Sequence, residues 1–201
     1  MDDLGSREMV NTRAGADVNY VVDKNTNRYT QIAAVPLSYD AAGNLIQDKD
    51  GYKYEYDYEN RLVKAAGSQD NTIAKYNYDS LGKRIRRQDV TADANTLYYY
   101  GDGWQVLAEY DGSDSFKRKY IYGNYIDEVI LMNDGSNDYY YLHEHLYSPA
   151  VLVNTNGDVV ERYEYDAYGR PYIYNDDYSQ SYEVSQYGNC YLFTGWRKNK
   201  G

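Results

Sequence analysis

The chain has 201 residues, a formal net charge of -10 and 29 tyrosines. The acidic balance argues against nucleic-acid binding, which needs a basic surface, and no apolar run reaches the roughly 18 residues that cross a bilayer. Leu, Ile, Val and Phe together number only 36. Tyrosine must therefore supply much of the buried surface, and this composition favours a thin sheet over a thick globular core.

The N-terminal segment MDDLGSREMV is polar and acidic, so it predicts no signal peptide. Asp2 and Gly5 within this segment have a spacing that recurs along the chain, with Met1 in the place that a tyrosine holds elsewhere.

The recurring motif is tyrosine followed by aspartate, with glycine or asparagine three positions after the aspartate. Aspartate at the first position of a type I turn accepts hydrogen bonds from nearby backbone N–H groups, and glycine or asparagine then supplies a left-handed residue. We therefore expect each motif to close a β-hairpin. The members are Tyr39-Asp40 with Gly43, Tyr56-Asp57 with Asn60, Tyr78-Asp79 with Gly82, and Tyr165-Asp166 with Gly169.

A second kind of turn is expected about half a period away from the first. Asp-Gly and Asn-Gly pairs are the preferred centres of two-residue hairpin loops, and two such turns per period would give an up-and-down meander. The pairs are Asp50-Gly51, Asp111-Gly112, Asp134-Gly135 and Asn156-Gly157.

One anchoring aromatic residue per unit recurs at a mean interval of about 21 residues, which indicates a repeat architecture. We predict about eight hairpin units in residues 1–174, forming an all-β antiparallel meander of about 14 to 16 short strands in a twisted, curved strip. Residues 175–201 predict an irregular loop, because they are polar and weakly patterned. The anchors are Tyr20, Tyr39, Tyr56, Tyr78, Tyr100, Tyr122, Tyr141 and Tyr165.

Few residues in the sequence suggest catalysis, a metal or a cofactor. His143 and His145 are the only histidines, and two ligands on one strand face do not complete a zinc site. Cys190 is alone and predicts packing as a small hydrophobe, and Ser148 lies in no nucleophile elbow. We therefore predict no enzyme activity and no cofactor.

The stretch GYKYEYDY poses the clearest choice between structure and binding. Tyr52, Tyr54 and Tyr56 alternate along one predicted strand and should share a face. Such tyrosines can pair across neighbouring strands, each pair contributing roughly 0.2–1 kcal/mol. The alternative is a carbohydrate-binding or cell-surface adhesion module, in which carbohydrate rings stack on an exposed aromatic surface.

The repeated tyrosine-aspartate turns, in their order along the chain, resemble those of the bacterial Rhs, or tyrosine-aspartate (YD), repeat proteins, whose relatives include the teneurins. The resemblance implies a β-sheet strip that winds into a hollow shell, which in polymorphic toxins encloses a C-terminal toxin, and a core region with an aspartate-dependent self-cleavage site. Residues 175–201 would then include the start of that core. The blocks that carry the resemblance are 37–45, 56–62, 159–171 and 191–195.

The sequence departs from the family pattern in two places. After Gly195 it reads WRKNKG, where the family continues towards the cleavage aspartates, so we expect neither self-cleavage nor a toxin in this chain. Glu144 and Tyr147 stand where the family has aspartate and glycine, so we expect a different turn there.

The resemblance implies that the chain is a section of a longer parent protein that is secreted or displayed at the cell surface. Its implied partners are the remaining Rhs repeats and an enclosed toxin domain. We also expect self-association through open sheet edges, since unpaired strand edges recruit other chains.

Overall fold

The computed structural model describes residues 9–11, 17–195 and 197, and these form short antiparallel strands. The one helical element among them is a turn of 3-10 helix, Phe193–Gly195, so this part of the chain holds no helix able to cross a membrane. Met1, Trp196 and the expected turn from Asp2 to Gly5 lie outside the described residues. The chain divides into two compact units, Met1–Asn95 and Thr96–Gly201.

The first unit contains strands β1 to β10, each paired with the next in the chain within two sheets, β1–β4 and β5–β10. Its strands are β1 (Met9–Asn11), β2 (Asp17–Asp23), β3 (Arg28–Ile32), β4 (Val35–Pro36), β5 (Ser38–Tyr39), β6 (Leu45–Gln47), β7 (Lys53–Tyr56), β8 (Leu62–Ala66), β9 (Thr72–Tyr78) and β10 (Arg84–Asp89).

The second unit is a meander in which β11 to β19 pair in chain order, and the boundary between the units falls inside β11. The predicted all-β antiparallel meander is thus confirmed. Its strands are β11 (Ala94–Tyr100), β12 (Val106–Tyr110), β13 (Phe116–Tyr122), β14 (Val129–Asn133), β15 (Asp138–His143), β16 (Pro149–Val153), β17 (Val159–Tyr165), β18 (Pro171–Tyr174) and β19 (Ser181–Tyr182).

The described residues form 19 strands, more than the expected 14 to 16. One additional hairpin joins β3 to β4 through Ala33 and Ala34, which take φ angles of 52° and 63°. Two consecutive positive φ angles are typical of a type I′ turn, for which Asn-Gly is the usual signal. The sequence Ala-Ala gave no such signal. Another short strand, β19, lies within the segment that was expected to be irregular.

One face of the sheet in the second unit is buried and rich in tyrosine. Register places Tyr98 opposite Glu109, Tyr120 opposite Met132, and Tyr141 opposite Leu152. Burial raises the pKa of the Tyr120 and Tyr141 hydroxyls well above the ordinary value, so both remain protonated donors. In the first unit, by contrast, only Ala66, Gly67 and Ala74 among the described residues are buried. A thin sheet there matches the composition.

The buried face is covered by the chain's own C-terminal residues 185–195 and 197, here called the cover segment. The Tyr141 hydroxyl donates to Asn189 Oδ1 at 2.8 Å, and the Tyr191 and Tyr122 hydroxyl oxygens lie 2.6 Å apart. The backbone N–H of Gln186 donates to Glu161 Oε1 at 2.8 Å. These bonds satisfy polar groups that the cover would otherwise bury without partners.

A buried ionic cluster joins the cover segment to the sheet. Glu109 is 3% exposed and accepts the Tyr120 hydroxyl at 2.8 Å. Arg197 forms an ion pair with Glu109, and Arg118 Nε lies 3.5 Å from Glu109 Oε2. The Arg197 guanidinium carbon also lies 4.4 Å from the centroid of the Tyr98 ring. Two cations and a hydroxyl thus compensate for the burial of one carboxylate.

Candidate functional site

The four tyrosine-aspartate motifs all close hairpins with the same turn, which we call the YD turn. In the turn that begins at Asp57, the backbone N–H of Asn60 donates to the Asp57 carbonyl at 3.0 Å. The Asp57 carboxylate accepts the backbone N–H groups of Glu59 and Arg61 at 2.9 and 3.0 Å. The fourth residue is left-handed in each turn, with φ of 92° at Gly43, 60° at Asn60, 82° at Gly82 and 80° at Gly169. These turns are type I turns followed by a bulge.

The aspartates at these turns act as hydrogen-bond acceptors rather than as acids. Hydrogen bonds from the Asn44 side chain and backbone lower the pKa of Asp40 below its ordinary value. Asp166 accepts the backbone N–H groups of Tyr168 and Arg170 at 2.8 and 3.0 Å. A carboxylate held ionised by several donors is a poor general acid.

The tyrosine before each YD turn donates its hydroxyl to a backbone carbonyl of the preceding repeat. Tyr78 donates to the Leu62 carbonyl at 2.8 Å, and Leu62 opens the return strand of the previous turn. The bonded carbonyls lie where adjacent strands have stopped pairing, so the hydroxyl satisfies an acceptor that the ladder leaves open. The same bond joins Tyr39 to Tyr29 at 2.7 Å, Tyr56 to Leu45 at 3.0 Å, Tyr122 to Val106 at 2.9 Å and Tyr165 to Pro149 at 2.9 Å.

Tyr122 makes this bond although no aspartate follows it, and the 22-residue interval from Tyr100 is the signal that identifies it. The anchor chosen at Tyr141 was wrong. His143 stands directly before the turn there, whereas Tyr141 lies two residues earlier on the buried face. The error arose because the interval alone does not distinguish positions two residues apart in a strand.

Neighbouring YD turns are also bridged by the residue that follows the left-handed position. Asn44 Nδ2 donates to Asn60 Oδ1 at 2.8 Å, and Arg61 Nη1 donates to the Asp79 carbonyl at 3.3 Å. Side-chain donors at this position therefore fasten one turn to the next.

The Asp-Gly and Asn-Gly pairs lie in hairpin turns where the sequence predicts them, but they are not the two central residues of two-residue loops. Asp48 is the first residue of a turn in which Gly51 N donates to its carbonyl at 3.1 Å, and Gly51 has φ of 82°. Asn154 and Gly157 repeat this arrangement, and in the turn that begins at Asp111 the left-handed residue is Asp114 rather than Gly112. At Asp134 the two-residue loop is Gly135-Ser136, one position later than expected.

The turn at Glu144 keeps the YD backbone despite its altered residues. Tyr147 N donates to the Glu144 carbonyl at 3.1 Å, and Glu144 N donates to the Ser148 carbonyl at 2.9 Å. Tyr147 holds the left-handed position with φ of 59°. The expectation of a different turn was wrong, because its backbone bonds form without the aspartate side chain.

The residues considered for chemistry do not lie together. His143 ends β15, whereas His145 lies in the turn, so the two do not share a strand face. Burial lowers the pKa of His143 below its ordinary value. Ser148 is fully buried and its hydroxyl accepts the backbone N–H of Thr194 at 2.9 Å. Cys190 Sγ lies 3.2 Å from the Tyr120 hydroxyl, and within the described residues no three metal-ligating side chains cluster.

The three tyrosines of the opening stretch differ in their surroundings. Tyr54 donates its hydroxyl to Asp48 Oδ2 at 2.7 Å, and Tyr56 is engaged with the Leu45 carbonyl. Tyr52 lies just before β7 and is 43% exposed. It borders a groove of about 580 Å³ between two turns at one edge of the first unit, lined by Asp50, Tyr52, Gly67, Ser68, Gln69, Asn71 and Ile73.

Comparison with known proteins identifies similar sequences across most of the chain. The model of the family described as Teneurin YD-shell matches residues 5–179. The tRNA3(Ser)-specific nuclease WapA of Bacillus spizizenii is 28% identical over 174 residues, which are 85% of this chain and 7% of that protein. The tRNA nuclease WapA of Bacillus subtilis is 30% identical over 173 residues, again 85% and 7%. The chain thus spans about 7% of the length of these curated relatives.

Solved structures show the same fold at low sequence identity. The crystal structure of TcdB2-TccC3-Cdc42 matches with a TM-score of 0.67 and 13% identity, covering 94% of this chain and 10% of that chain. The crystal structure of TcdB2-TccC3 gives a TM-score of 0.65 and 14% identity over the same shares of the two chains.

Proposed function

Because the chain belongs to the Teneurin YD-shell family, we propose that it is a non-catalytic structural module, one length of the wall of a larger protein. The observation that carries this proposal is the repeated bond from a tyrosine hydroxyl to a carbonyl of the preceding repeat. This bond uses the signature tyrosines to fasten strands together, while the signature aspartates bond within their own turns. Side chains committed to internal bonds in this way are not available for chemistry on a substrate.

The larger protein would enclose a toxin domain within its shell. Two relatives are named as tRNA nucleases, and the chain aligns with only 7% of each, so their activity need not lie in the matched part. The partners of this chain would then be adjoining YD repeats and the enclosed domain. The parent protein would be secreted or displayed at the cell surface.

Within this module, residues 1–174 would form the wall and residues 175–201 would close one face of it. The cover segment supports this division, because it lies on the tyrosine-rich face rather than extending the ladder. Its ion pair between Arg197 and the buried Glu109 supports the same role.

A nuclease assay and a proteolysis assay test the two parts of the proposal. We expect purified chain to leave tRNA intact on a denaturing gel, and cleavage that co-elutes with the chain would overturn the non-catalytic role. In the full-length parent, we expect the enclosed domain to resist trypsin. Replacing both Tyr78 and Tyr165 with Phe should expose it, whereas Tyr58→Phe should not, because Tyr58 is 89% exposed. Rapid digestion of the enclosed domain in the unchanged parent would contradict enclosure, and equal resistance of all three proteins would contradict a role for the tyrosine bonds in the wall.

A carbohydrate-binding surface is a second candidate, and the groove beside Tyr52 is the observation that favours it. An exposed ring next to carboxylate, hydroxyl and amide groups offers both a stacking surface and hydrogen-bond partners for a sugar. The side chains of Ser68, Gln69 and Asn71 have no hydrogen-bond partner among the described residues. Tyr54 and Tyr56 do not belong to this surface.

A glycan array separates this candidate from the structural module alone. We expect Tyr52→Ala to abolish any glycan signal with the fold retained, since the Tyr52 hydroxyl makes no bond to a carbonyl of the preceding repeat. Tyr58→Ala serves as the matched control, because Tyr58 is an exposed tyrosine outside the groove. An absent signal for the unchanged chain, or equal signals for both variants, would count against carbohydrate binding at Tyr52.

A further inference from the structure

A groove of about 410 Å³ separates two successive YD turns in the second unit. It lies between the turn that begins at Glu144 and the turn that begins at Asp166. Its walls combine carboxylates with aromatic and aliphatic groups. They are formed by Glu144, Leu146, Ala150, Tyr163, Glu164, Tyr165, Asp166 and Phe193.

The first unit shows what fills the same place between two other turns. Arg61 Nε donates to Asp57 Oδ2 at 2.7 Å, and Arg61 Nη1 lies 2.6 Å from Glu59 Oε2. Arg61 Nη1 also donates to the Asp79 carbonyl at 3.3 Å. Its guanidinium carbon lies 5.0 Å from the centroid of the Tyr78 ring. One arginine thereby bonds to its own turn, to the next turn and to the tyrosine between them.

Each turn residue of the groove can be matched to the residue at the same turn position in the Arg61 arrangement. Glu144 corresponds to Asp57, Tyr165 to Tyr78, and the Asp166 carbonyl to the Asp79 carbonyl. The position of Arg61 is occupied by Ser148, which is fully buried and accepts the Thr194 N–H instead. Ser148 cannot bridge the turns, so among the described residues Glu144 and the Tyr165 ring lack the bridging arginine that Arg61 provides in the first unit.

One residue that lines the groove has a carboxylate oxygen without an internal donor. Glu144 Oε1 is buried and has no hydrogen-bond partner among the described residues, while the other carboxylate oxygen lies 3.8 Å from His145 Nδ1. A buried carboxylate oxygen without a donor is unfavourable. The Glu144 side chain as a whole is 36% exposed, so rotation of its carboxylate towards a donor from outside the chain would relieve this deficit.

We propose that this groove binds an arginine side chain of a partner polypeptide. The planar guanidinium would donate to Glu144 and to the Asp166 carbonyl, and it would stack on the Tyr165 ring as Arg61 does on Tyr78. Phe193 would pack against the aliphatic part of the side chain. The net charge of -10 favours the approach of a basic segment.

Binding of N-acetyl-arginine amide to the full chain, followed by ¹H–¹⁵N NMR, tests this proposal. N-acetyl-citrulline amide has nearly the same shape without the charge and is the matched probe. We expect chemical-shift changes at residues 144–148 and 165–170 with the arginine probe, and binding at least about fivefold weaker with the citrulline probe. Equal affinities for both probes, or shifts elsewhere only, would overturn the proposal.

Three variants test whether the groove residues determine arginine binding. Glu144→Gln should weaken arginine binding at least about fivefold. Leu146→Glu should strengthen it about two- to fivefold, because it restores the second carboxylate that Glu59 supplies to Arg61. Thr155→Glu adds the same charge to an exposed turn elsewhere in the second unit and should change nothing. If Leu146→Glu and Thr155→Glu act alike, the effect is one of net charge and the groove is not the site. Each variant's melting temperature shows whether it is folded, and the groove can be occupied whether or not the parent encloses a toxin.

Discussion

Tyrosine carries in this chain two roles that are usually divided between different residues. Its ring supplies buried apolar surface, and its hydroxyl supplies a donor to a carbonyl that the strand ladder leaves open. Tyr78 shows both, since burial raises its pKa and its hydroxyl reaches the Leu62 carbonyl. A leucine at the same position would pack but would leave that acceptor without the bond.

Removing one such hydroxyl tests its contribution. We expect Tyr78→Phe to lower the free energy of unfolding by about 0.5–1.5 kcal/mol, the usual net worth of an internal hydrogen bond. The measurement is urea denaturation followed by circular dichroism. Tyr58→Phe removes a hydroxyl from an exposed ring and should leave stability unchanged. If both variants unfold at the same urea concentration, the hydroxyl bond is not what stabilises the repeat.

The turn aspartates should make stability depend on pH. Backbone N–H bonds from Ser115 and Ser113 lower the pKa of Asp111 below its ordinary value. A carboxyl whose pKa is depressed in the folded state contributes stability above its unfolded pKa of about 3.9, and this contribution is lost as pH falls through the folded value. Asn154 begins an equivalent turn with an amide and has no such titration.

Exchanging these two side chains should therefore exchange the pH response. Asp111→Asn should reduce the loss of thermal stability between about pH 4 and pH 2, and Asn154→Asp should increase it. Melting temperatures recorded across that range, relative to pH 7, provide the measurement. An unchanged acid profile in both variants would show that the turn carboxylates do not govern acid unfolding.

At the scale of the element, some hairpin turns can be predicted from nearby residues and others cannot. The YD turns could be predicted because aspartate, glycine and their spacing all lie within five residues. The Asp-Gly turns were misassigned because that dipeptide fits both the centre of a two-residue loop and the last two positions of an Asp-x-Asp-Gly turn. The Ala33-Ala34 hairpin could not be predicted, because alanine rarely takes positive φ.

Substitutions in the Ala33-Ala34 turn should increase the stability of the chain. Replacing Ala33-Ala34 with Asn-Gly should raise the free energy of unfolding by about 1 kcal/mol, since both residues are exposed and left-handed. Ala42→Gly is the control. It also replaces alanine with glycine in a turn, but at a position without positive φ, so it should not raise the free energy of unfolding. Chemical denaturation of both variants gives the comparison. A loss of stability in the Asn-Gly variant would contradict the I′ assignment.

At the scale of the whole molecule, the features that could not be predicted from the sequence depend on contacts between residues far apart in the chain. Arg197 meets Glu109 across 88 residues, and Tyr141 meets Asn189 across 48. No periodicity predicts such pairs, so the cover segment was expected only as an irregular loop. The groove beside Ser148 was missed for a related reason, because it is visible only once two successive turns are compared side by side.

The sheet of the second unit also has a second face that remains exposed and apolar. Register places Ile121 opposite Leu131 and Leu142 opposite Val151 on that face, with Ile121 51% and Leu142 53% exposed. Exposed apolar patches of this kind usually meet a partner. Together with the open strand edges, they predict self-association of the isolated chain.

Light scattering across a range of protein concentrations tests this expectation. We expect an apparent mass that rises with concentration, and a smaller rise when Ile121 and Leu142 are both replaced by Thr. Lys119→Thr is the control, since Lys119 lies on the same face but is charged. A mass equal to the monomer at every concentration would contradict self-association.

The bonds from tyrosine hydroxyls give the chain a direction. Each joins a later repeat to an earlier one, so a repeat is fastened by its successor and never by its predecessor through this bond. During synthesis, an emerging repeat would secure the one made just before it, and the most recent repeat would remain the least secured. Loss of repeats from the C-terminal side would leave a carbonyl without its donor, whereas loss from the N-terminal side would leave only a tyrosine hydroxyl free to meet water.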